Sequence, residues 1–446
     1  MGRRQDDLGG RASRRAGARP LTDTIFALSS GRPPAAVGVI RTSGPAAFAA
    51  AEAISGPLPQ PRHASLRALR DPTTKLLLDH ALVLRFDAPA SATGENIVEY
   101  QCHGGRAVVD AIVATIAGMP GMRAAEAGEF TRRAFANGRI DLTEAEGLAD
   151  LLEAETETQR RAALQNADGG LRRQVENWRN RVIMLSARAE AAIDYTDEDE
   201  IASDDSSLRT DALGLCGELS SWLARPRIDT LKAGVRVVAA GPPNVGKSSL
   251  INVLCGHDRA IVTEIAGTTR DVIEVPIAIG GIPFVLVDTA GLRPSEDQVE
   301  QIGVSRARSE AERSDILLWL GDPDEAPAHR STILLRPRAD LARNHSPRDS
   351  ALPVSSMTGE GISRLIELMS AAATNLLPHV DEVSLNRRQA THLDAARNAL
   401  EDAGATQLEV VADALRRARE AFDAIAGRAG VEEMLDGLFG RFCLGK

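Results

Sequence analysis

Residues 241–248 combine the residue types that can hold a nucleotide phosphate. They read Gly-Pro-Pro-Asn-Val-Gly-Lys-Ser, directly after the apolar run Val235–Ala240 and before a helical pattern. Glycines let backbone N–H groups turn inward around phosphates, Lys247 offers a point charge to the β and γ groups, and Ser248 offers a hydroxyl to Mg²⁺. A strand, this loop and a helix are the context that a P-loop requires. We therefore favour a P-loop over a glycine-rich turn without a ligand.

Two motifs further along the chain could hold a magnesium ion and sense the γ-phosphate. Residues 267–271, Gly-Thr-Thr-Arg-Asp, precede two strands joined at Gly280-Gly281, and the second strand leads into Asp288-Thr-Ala-Gly291. Thr269 can complete the Mg²⁺ shell, Asp288 can hold the ion from the strand end, and the Gly291 N–H can sense the γ-phosphate. This order and spacing behind a P-loop predict a GTPase.

The base-reading motif departs from the Asn-Lys-x-Asp that is usual in GTPases, because Pro337-Arg338-Ala339-Asp340 stands in its place. The Asp340 carboxylate can accept two hydrogen bonds from the guanine edge, and Arg338 can lay its stem over the ring. Pro337 cannot replace the asparagine amide. We predict retained guanine preference with weaker nucleotide binding. Backbone contacts to the base are expected from Ser355, Ser356 and Met357.

The catalytic position is also unusual, because Leu292 follows Gly291 where many GTPases have a water-orienting glutamine. An apolar side chain cannot orient water, so Glu300 is the candidate for that role. The sequence shows no arginine finger, whereas Asn244 lies within the P-loop, where its carbonyl can help to hold a monovalent cation. A K⁺ ion there would supply the missing positive charge.

Composition indicates a multidomain protein, since 446 residues correspond to about two to four domains. The net charge of −10 argues against non-specific coating of nucleic acid but does not exclude a tRNA partner. Four cysteines without C-x-x-C or zinc-ligand spacing favour a reducing cytoplasm over a disulfide framework. Because no apolar run reaches transmembrane length, we expect a cytoplasmic protein without membrane association.

Two charged segments are given no role in catalysis. Residues 1–21 are rich in arginine and predict a disordered extension or a mis-assigned start. An organellar presequence is the alternative, which Asp6 and Asp7 disfavour. The acidic run Asp197–Glu200 is interpreted as a solvated loop between helices rather than a cation site.

Changes of pattern divide the rest of the chain into three domains. Short apolar runs between Gly/Pro turns predict an N-terminal α+β domain. Helical periodicity follows, with Thr143 and Glu146 at capping-box spacing, and it returns after an interrupting α/β pattern that carries the P-loop. One helical domain is therefore interrupted by an inserted α/β domain. We predict the α+β domain over residues 22–139 and the inserted α/β domain over residues 232–376. The first helical segment is predicted over residues 140–231 and the second over residues 377–446.

Taken together, these residues resemble the tRNA modification GTPase family called MnmE or TrmE, and the resemblance extends from Asp23 to Lys446. It implies an N-terminal folate-binding-like α+β domain that forms the homodimer, a discontinuous helical domain and an inserted Ras-like P-loop GTPase domain. Besides the GTPase motifs, the matching stretches are Asp23–Ala27, Val37–Gly44, Thr93–Gly105, Gly128–Phe135 and the terminal Phe-Cys-Leu-Gly-Lys.

The resemblance implies a folate site. In such proteins 5-formyltetrahydrofolate or a related one-carbon folate is bound at positions that match Arg41, Glu99, Arg139 and Lys446. A glutamate suits the N–H edge of a pterin-like ring, and basic groups suit a glutamyl carboxylate. Two roles stay open for the Cys443 thiol, as a nucleophile or as a component of the pocket lining. For Cys102-His103 we favour a packed turn over a metal or nucleophilic role.

The resemblance also implies metal ligands, with Mg²⁺ held by Ser248 and Thr269. The expected K⁺ ligands are Asn244, Thr263, Ile265 and Thr268. The predicted catalytic residues are Lys247, Asp288, Glu300 and Cys443. The residues predicted to bind GTP are Asn244, Val245, Gly246, Lys247, Ser248, Ser249, Thr263, Glu264, Ile265, Ala266, Gly267, Thr268, Thr269, Asp288, Thr289, Ala290, Gly291, Asp340, Ser355, Ser356 and Met357.

In this family GTP turnover, promoted by K⁺-dependent pairing of G domains, rearranges a complex with the FAD-dependent partner MnmG. The two proteins install an aminomethyl or carboxymethylaminomethyl group at C5 of the wobble uridine of certain tRNAs. Two alternatives stay open. A ribosome-assembly GTPase switch leaves residues 93–105 and the Cys443 tail unexplained. A folate-binding scaffold would use GTP only to time assembly, while the partner does all the chemistry.

Overall fold

Two units make up the computed structural model, one formed by the N-terminal residues to 140 together with 433–446, and the other by residues 141–432. The sequence pattern assigns residues 433–446 to the second helical segment, whereas the structure groups them with the N-terminal unit. The structure describes residues 23–194, 202–257, 273–288, 310–341, 351–379, 382–404, 407–428, 432–442 and 445.

A six-stranded sheet organises the N-terminal unit. Its strands are β1 (Thr24–Leu28), β2 (Val37–Ser43), β3 (Ser65–Arg70), β4 (Leu77–Phe86), β5 (Ile97–His103) and β6 (Met122–Ala124). Their spatial order is β3-β4-β5-β2-β1-β6, and only β1 and β6 pair in parallel. Helices α1 (Ala47–Ser55) and α2 (Arg106–Ala117) bury alternate strand residues such as Val98 and Tyr100, while Glu99 between them points to the opposite face. Helix α3 (Glu129–Ala136) follows β6 in the same unit.

The first helical segment contains α4 (Leu142–Glu153), α5 (Glu157–Ala167), α6 (Gly170–Asp194), α7 (Ala202–Leu223) and α8 (Ile228–Ala233). The capping box predicted at Thr143 and Glu146 is wrong by two residues. Asp141 caps α4 instead, because its side chain accepts from the Glu144 N–H and the Glu144 side chain accepts from the Asp141 N–H. The Thr143 hydroxyl only supports this cap, by donating to Asp141 Oδ1 at 2.7 Å.

A second six-stranded sheet carries the P-loop. It contains β7 (Val235–Ala240), β8 (Ile273–Ile279), β9 (Ile282–Asp288), β10 (Ile316–Trp319), β11 (Thr332–Arg336) and β12 (Leu352–Pro353), with helices α9 (Lys247–His257) and α10 (Ile362–Thr374). The spatial order is β12-β11-β10-β7-β9-β8. All neighbours are parallel except β8 and β9, the hairpin predicted at Gly280-Gly281. Parallel strand ends therefore gather the loops after β7, β9 and β11 at one edge.

The second helical segment packs on the first. Helices α11 (Arg387–Asp402) and α12 (Leu408–Ala426) contact α7 and α6, respectively. Their shared core holds Trp178, whose ring lies 6.0 Å from that of Phe422 and 5.1 Å from that of Trp222. Glu146 joins the two segments by accepting hydrogen bonds of 2.7 and 2.9 Å from Arg388. The predicted discontinuous helical domain is therefore confirmed.

The last helix, α13 (Glu432–Phe439), belongs mainly to the N-terminal unit. The fold class predicted from sequence, a multidomain α+β and α/β protein with a Ras-like P-loop domain inserted between helices, is confirmed. Among the helices in the described ranges, none is long and apolar enough to cross a bilayer.

Candidate functional site

The backbone of the predicted P-loop can be formed only with glycine at its start. Gly241 follows β7 at a φ of 143°, and a Cβ there would lie 2.7 Å from the Leu320 carbonyl oxygen. Gly246, at a φ of 110°, precedes α9. Both φ values lie in the region that side-chain-bearing residues rarely adopt. The chain therefore turns tightly between strand and helix, as a phosphate-binding loop requires.

Lys247 is the first residue of α9, and its ammonium group folds back over the loop. Its Nζ donates to the carbonyl oxygens of Gly241 and Pro242, at 3.0 and 2.8 Å. Burial lowers the pKa of Lys247, and the neighbouring Asp288 carboxylate offsets this only partially. A partly desolvated ammonium held by two carbonyls is ready to exchange them for phosphate oxygens, which are stronger acceptors.

Asp288 lies at the carboxyl end of β9, beside the P-loop strand. It is paired in register with Ala239 of β7 and is largely buried. The parallel pairing brings this carboxylate to the sheet edge where Lys247 and Ser248 begin α9. The structure thus brings together three of the predicted GTP-site side chains, as the sequence spacing predicts.

The base-reading loop contacts the P-loop through Arg338. Its Nη2 donates to the backbone carbonyl of Asn244 at 2.6 Å. Both residues have left-handed φ values, 57° for Arg338 and 60° for Asn244, a conformation that non-glycine residues adopt at an energetic cost. The guanidinium group therefore uses one lone pair of the Asn244 backbone carbonyl, and the Asn244 side chain is exposed.

Asp340 is oriented by Ser355. The Ser355 hydroxyl donates to Asp340 Oδ1 at 2.6 Å and accepts from the backbone N–H groups of Met357 and Thr358, both at 3.2 Å. Ser355 is fully buried, whereas Met357 is 88% exposed. The sequence predicts only backbone contacts from Ser355, Ser356 and Met357. The side-chain role of Ser355 in holding the base-reading carboxylate is an addition that the motif does not signal.

A portion of the predicted GTP site lies outside the described residues. Val245 and Ser249 are described, at the loop and on the first turn of α9. The predicted site residues outside the described ranges are Thr263, Glu264, Ile265, Ala266, Gly267, Thr268, Thr269, Thr289, Ala290, Gly291, Glu300, Cys443 and Lys446. Leu292, the acidic run 197–200 and the N-terminal extension also lie outside these ranges.

The N-terminal unit contains a second candidate site, a cavity of about 300 Å³ on the sheet face opposite α1 and α2. Glu99 and Arg139 line it. Arg41 is paired in register with Glu99 across β2 and β5, and its guanidinium donates to Glu99 Oε1 at 2.8 and 2.7 Å. The same guanidinium lies 5.7 Å from the centre of the Phe130 ring. Three of the four residues predicted to bind folate are therefore brought together.

A glycine turn brings Arg139 to this cavity. Gly94, at a φ of 81°, approaches Asn137 so closely that a Cβ would lie 2.9 Å from Asn137 Cβ. Asn137 Nδ2 donates to the Thr93 carbonyl at 2.7 Å. These contacts lock the chain around Thr93-Gly94 against the end of α3, from which Arg139 extends.

The C-terminal tail is attached to the N-terminal unit. Gly128, at a φ of 68°, is in contact with Phe439, since a Cβ at Gly128 would lie 2.3 Å from the Phe439 carbonyl oxygen. The Phe439 ring is buried between Phe135 and Phe442, with centroids at 6.4 and 6.2 Å. Further on, the Ser29 hydroxyl donates to the Gly445 carbonyl at 2.9 Å. Gly445 thus lies beside the end of β1.

An ion network that the sequence reasoning missed supports this unit. Arg133, only 1% exposed, donates to Asp23 at 2.7 Å and to Glu95 and Glu129 at 3.1 Å. Arg123 donates to Asp23 and Glu129 as well. Burial would raise the pKa values of Asp23 and Glu129, but hydrogen bonds from the two arginines outweigh it and lower them. The available signal was Glu129 and Arg133, four residues apart within the Gly128–Phe135 stretch.

The Cys102 and His103 side chains form hydrogen bonds within the N-terminal unit. The Cys102 side chain is buried and donates to the Gly38 carbonyl at 3.4 Å, and burial raises the pKa of its thiol. His103 is mostly exposed and bonds Asp79 at 2.8 Å through Nδ1. Within the described ranges no group of three His, Cys, Asp or Glu residues could hold a metal ion. The packed-turn interpretation fits these contacts, because a buried thiol with a raised pKa is a poor nucleophile.

The mostly parallel sheet, the loop that begins with Gly241, and the Lys247, Ser248 and Asp288 side chains define a P-loop GTPase. It is built into a larger chain with its own N-terminal and helical domains. Two family models match that larger chain: "GTP-binding protein TrmE N-terminus" over residues 24–139 and "MnmE helical domain" over residues 142–443. The chain belongs to the MnmE family of tRNA modification GTPases.

Individual relatives agree over nearly the whole length. A protein of Novosphingobium aromaticivorans named tRNA modification GTPase MnmE is 50% identical over 437 residues, which are 96% of this chain and 100% of the relative. The protein of the same name from Erythrobacter litoralis is 52% identical over 426 residues, 95% of this chain and 100% of the relative. Among solved structures, the G domain of the T. maritima FeoB iron transporter matches 31% of this chain and 98% of its own, at 26% identity and a TM-score of 0.24.

Proposed function

We propose that the protein hydrolyses GTP to modify tRNA together with an FAD-dependent, MnmG-type partner. The product would be an aminomethyl or carboxymethylaminomethyl group at C5 of the wobble uridine in certain tRNAs. The observation that carries this proposal is the presence of a P-loop GTPase site and an Arg41–Glu99 cavity in one chain, with the terminal tail attached beside the cavity's own sheet. A ribosome-assembly switch has no use for that cavity.

Wobble-uridine nucleosides provide the direct test. Cells that lack the gene should lose the C5 modification in mass spectrometry of their tRNA nucleosides, and a copy of the intact gene should restore it. An unchanged nucleoside profile would favour the ribosome-assembly alternative, for which co-sedimentation with ribosomes is the corresponding assay.

The residues proposed to bind GTP are positioned by hydrogen bonds within the protein. Lys247 would exchange the loop carbonyls for β- and γ-phosphate oxygens, and the Asp340 carboxylate, held by Ser355, would accept the guanine N–H donors. Ser248 and Thr269 would hold Mg²⁺, with Asp288 at the strand end. The donor set fits a hard cation, since it is made of hydroxyl and carboxylate oxygens. Bound Mg²⁺ neutralises the charge that develops on the phosphates.

Potassium stimulation is proposed because Lys247 and Arg338 are the only cationic side chains that the structure describes at the P-loop. A bound K⁺ would add positive charge beside the phosphates. The exposed Asn244 amide is a neutral oxygen donor that suits K⁺, and Thr263, Ile265 and Thr268 would complete the shell. Turnover of GTP should be faster in K⁺ than in Na⁺ at equal ionic strength. Asn244→Ala should remove this difference. Equal wild-type rates in the two salts would contradict the K⁺ site.

The N-terminal cavity fits a one-carbon folate such as 5-formyltetrahydrofolate. Glu99, aligned by Arg41, offers acceptor oxygens to the N–H edge of a pterin, and Arg139 offers a cation to a glutamyl carboxylate. Lys446 is proposed as the fourth ligand. Bound folate would supply the one-carbon unit for the C5 substituent. Isothermal titration with 5-formyltetrahydrofolate tests the site, and Glu99→Gln should weaken binding.

Homodimer formation is proposed through the open sheet face of the N-terminal unit. Leu66 and Leu82 are directly paired across β3 and β4 and are 66% and 40% exposed. Adjacent exposed leucines on a sheet face are costly in water unless another surface covers them. A second copy of the chain, offering the same leucines across a two-fold axis, is the proposed occupant.

Cys443 separates the catalytic form of this proposal from the passive-scaffold alternative. If its thiol participates in the reaction, Cys443→Ser should abolish tRNA modification while GTP hydrolysis and thermal stability are kept. Intact modification in this variant would support the scaffold alternative, in which the partner performs all the chemistry.

A further inference from the structure

A further arginine lies at the cavity of the N-terminal unit. Arg62, in the chain between α1 and β3, lines the same space of about 300 Å³ as Glu99 and Arg139. Its φ of 64° is in the left-handed region, which a residue with a long side chain adopts at a cost. None of the motifs discussed above includes this position.

The surrounding contacts hold the Arg62 side chain in place. Its backbone N–H donates to the Arg85 carbonyl at 2.9 Å, and its Nη2 donates to the Ala90 carbonyl. The guanidinium lies 5.7 Å from the centre of the Phe86 ring, and Phe86 also lines the cavity. A strained backbone, a carbonyl and a ring face together orient the cation toward the cavity.

The negative charge of the cavity is less exposed than its two positive charges. Glu99 is half-buried and is neutralised by Arg41. Arg62 and Arg139 are exposed at the mouth, and neither forms an ion pair with a carboxylate among the described residues. The deep end thus offers an acceptor for a neutral N–H edge, and the mouth has two unneutralised positive charges.

We propose that Arg62 is an additional binding residue that recognises the carboxylates of a folate's glutamyl tail, so that the site prefers polyglutamylated over monoglutamylated folate. This inference rests on the proposed folate function. A ring at the deep end places its tail at the mouth, where each further γ-linked glutamate brings another carboxylate. Arg139 can pair with one carboxylate, and Arg62 can pair with a second.

Isothermal titration with 5-formyltetrahydrofolate carrying one or three glutamates tests this assignment. The wild-type protein should bind the triglutamate about fivefold more tightly, the size of effect expected for one partly exposed ion pair. Arg62→Gly should bind both forms equally, because glycine accepts the φ of 64° and lacks the guanidinium. Arg62→Lys should keep most of the preference.

Lys75→Gly is the matched control. Lys75 is an exposed cation in the same unit with a φ of 61°, and it lies outside the cavity. This variant should keep the triglutamate preference, and circular dichroism should show both glycine variants folded. Equal wild-type affinities, or a preference that persists in Arg62→Gly, would overturn the role of Arg62. Absence of any folate binding to the wild type would instead overturn the proposed folate site itself.

Discussion

The Arg338 guanidinium donates to the Asn244 backbone carbonyl at 2.6 Å, and this hydrogen bond joins the base-reading loop to the P-loop. The chain lacks the usual Asn-Lys pair before Asp340, and Pro337 has no amide to link neighbouring loops. Arg338 makes a link of this kind from the next position, since its guanidinium has enough length and donors to reach across. One side chain of the base-reading loop is therefore bonded directly to the backbone of the P-loop.

Loss of this link should weaken nucleotide binding. Arg338→Ala is expected to lower the affinity for GDP and GTP about fivefold, equivalent to about 1 kcal/mol for a partly exposed hydrogen bond to a charged donor. Titration with a fluorescent GDP analogue measures this. Arg364→Ala removes an exposed arginine of α10 and should leave the affinity unchanged. Wild-type affinity in Arg338→Ala would show that the contact does not support binding.

Guanine preference should depend on the Asp340–Ser355 pair. Asp340→Asn is expected to lower the ratio of GTP to ATP affinity by at least about tenfold, because an amide cannot accept from both guanine N–H donors. Ser355→Ala, which leaves the carboxylate in place but unoriented, should cause a smaller loss of the same preference. Competition binding with GTP and ATP measures both. Equal affinity of the wild type for the two nucleotides would overturn the assignment of Asp340.

The attachment of the C-terminal tail should depend on a glycine at position 128. Gly128→Ala is expected to destabilise the unit by at least about 2 kcal/mol, because the methyl group meets the Phe439 carbonyl and the φ is left-handed. Gly138→Ala is the matched control, since Gly138 has a φ of 67° but nothing within 4 Å of the added Cβ. It should cost about 1 kcal/mol. Chemical denaturation compares the two, and similar costs would contradict the role of the Phe439 contact.

The stability of the N-terminal unit should fall in acid. The folded-state pKa values of Asp23 and Glu129 are lowered below 3.8 and 4.5 by Arg123 and Arg133. Their contribution is therefore full above the unfolded pKa values and is lost as the pH falls through the lower folded values. Thermal unfolding should show a declining midpoint below about pH 4.5. Glu129→Gln should be less stable at neutral pH and show a shallower decline, and an identical slope would contradict this account.

Dimer formation should depend on the exposed leucines of the N-terminal sheet. Leu82→Glu is expected to convert the dimer to a monomer in light scattering at micromolar concentration, because a charge would be buried without a partner. Leu213→Glu, at a leucine of α7 that is 49% exposed, is the control and should stay dimeric. A monomeric wild type would refute the dimer, and a dimeric Leu82→Glu protein would place its interface elsewhere.

The amino-acid sequence by itself determined the local elements and the phosphate chemistry. A P-loop consists of consecutive residues, so that the strand, the turn at Gly241 and the helix beginning at Lys247 follow from short-range pattern and glycine geometry. The hairpin at Gly280-Gly281 and the interruption of the helical domain were predictable for the same reason. Capping was less predictable, since Asp141 with Glu144 and Thr143 with Glu146 both have capping-box spacing. Glu146 instead accepts hydrogen bonds from Arg388, which is distant in sequence.

Only the tertiary structure decided which distant residues share a site. Arg41 and Glu99 are separated by 58 positions, Arg338 and Asn244 by 94, and Ser29 and Gly445 by 416, and no local pattern encodes such pairings. Arg62 has no motif around it, and its place at the cavity follows from strand pairing and a left-handed turn. The grouping of residues 433–446 with the N-terminal unit likewise depends on burial of Phe439 and Phe442, because helical periodicity indicates which face is apolar but not which surface will cover it.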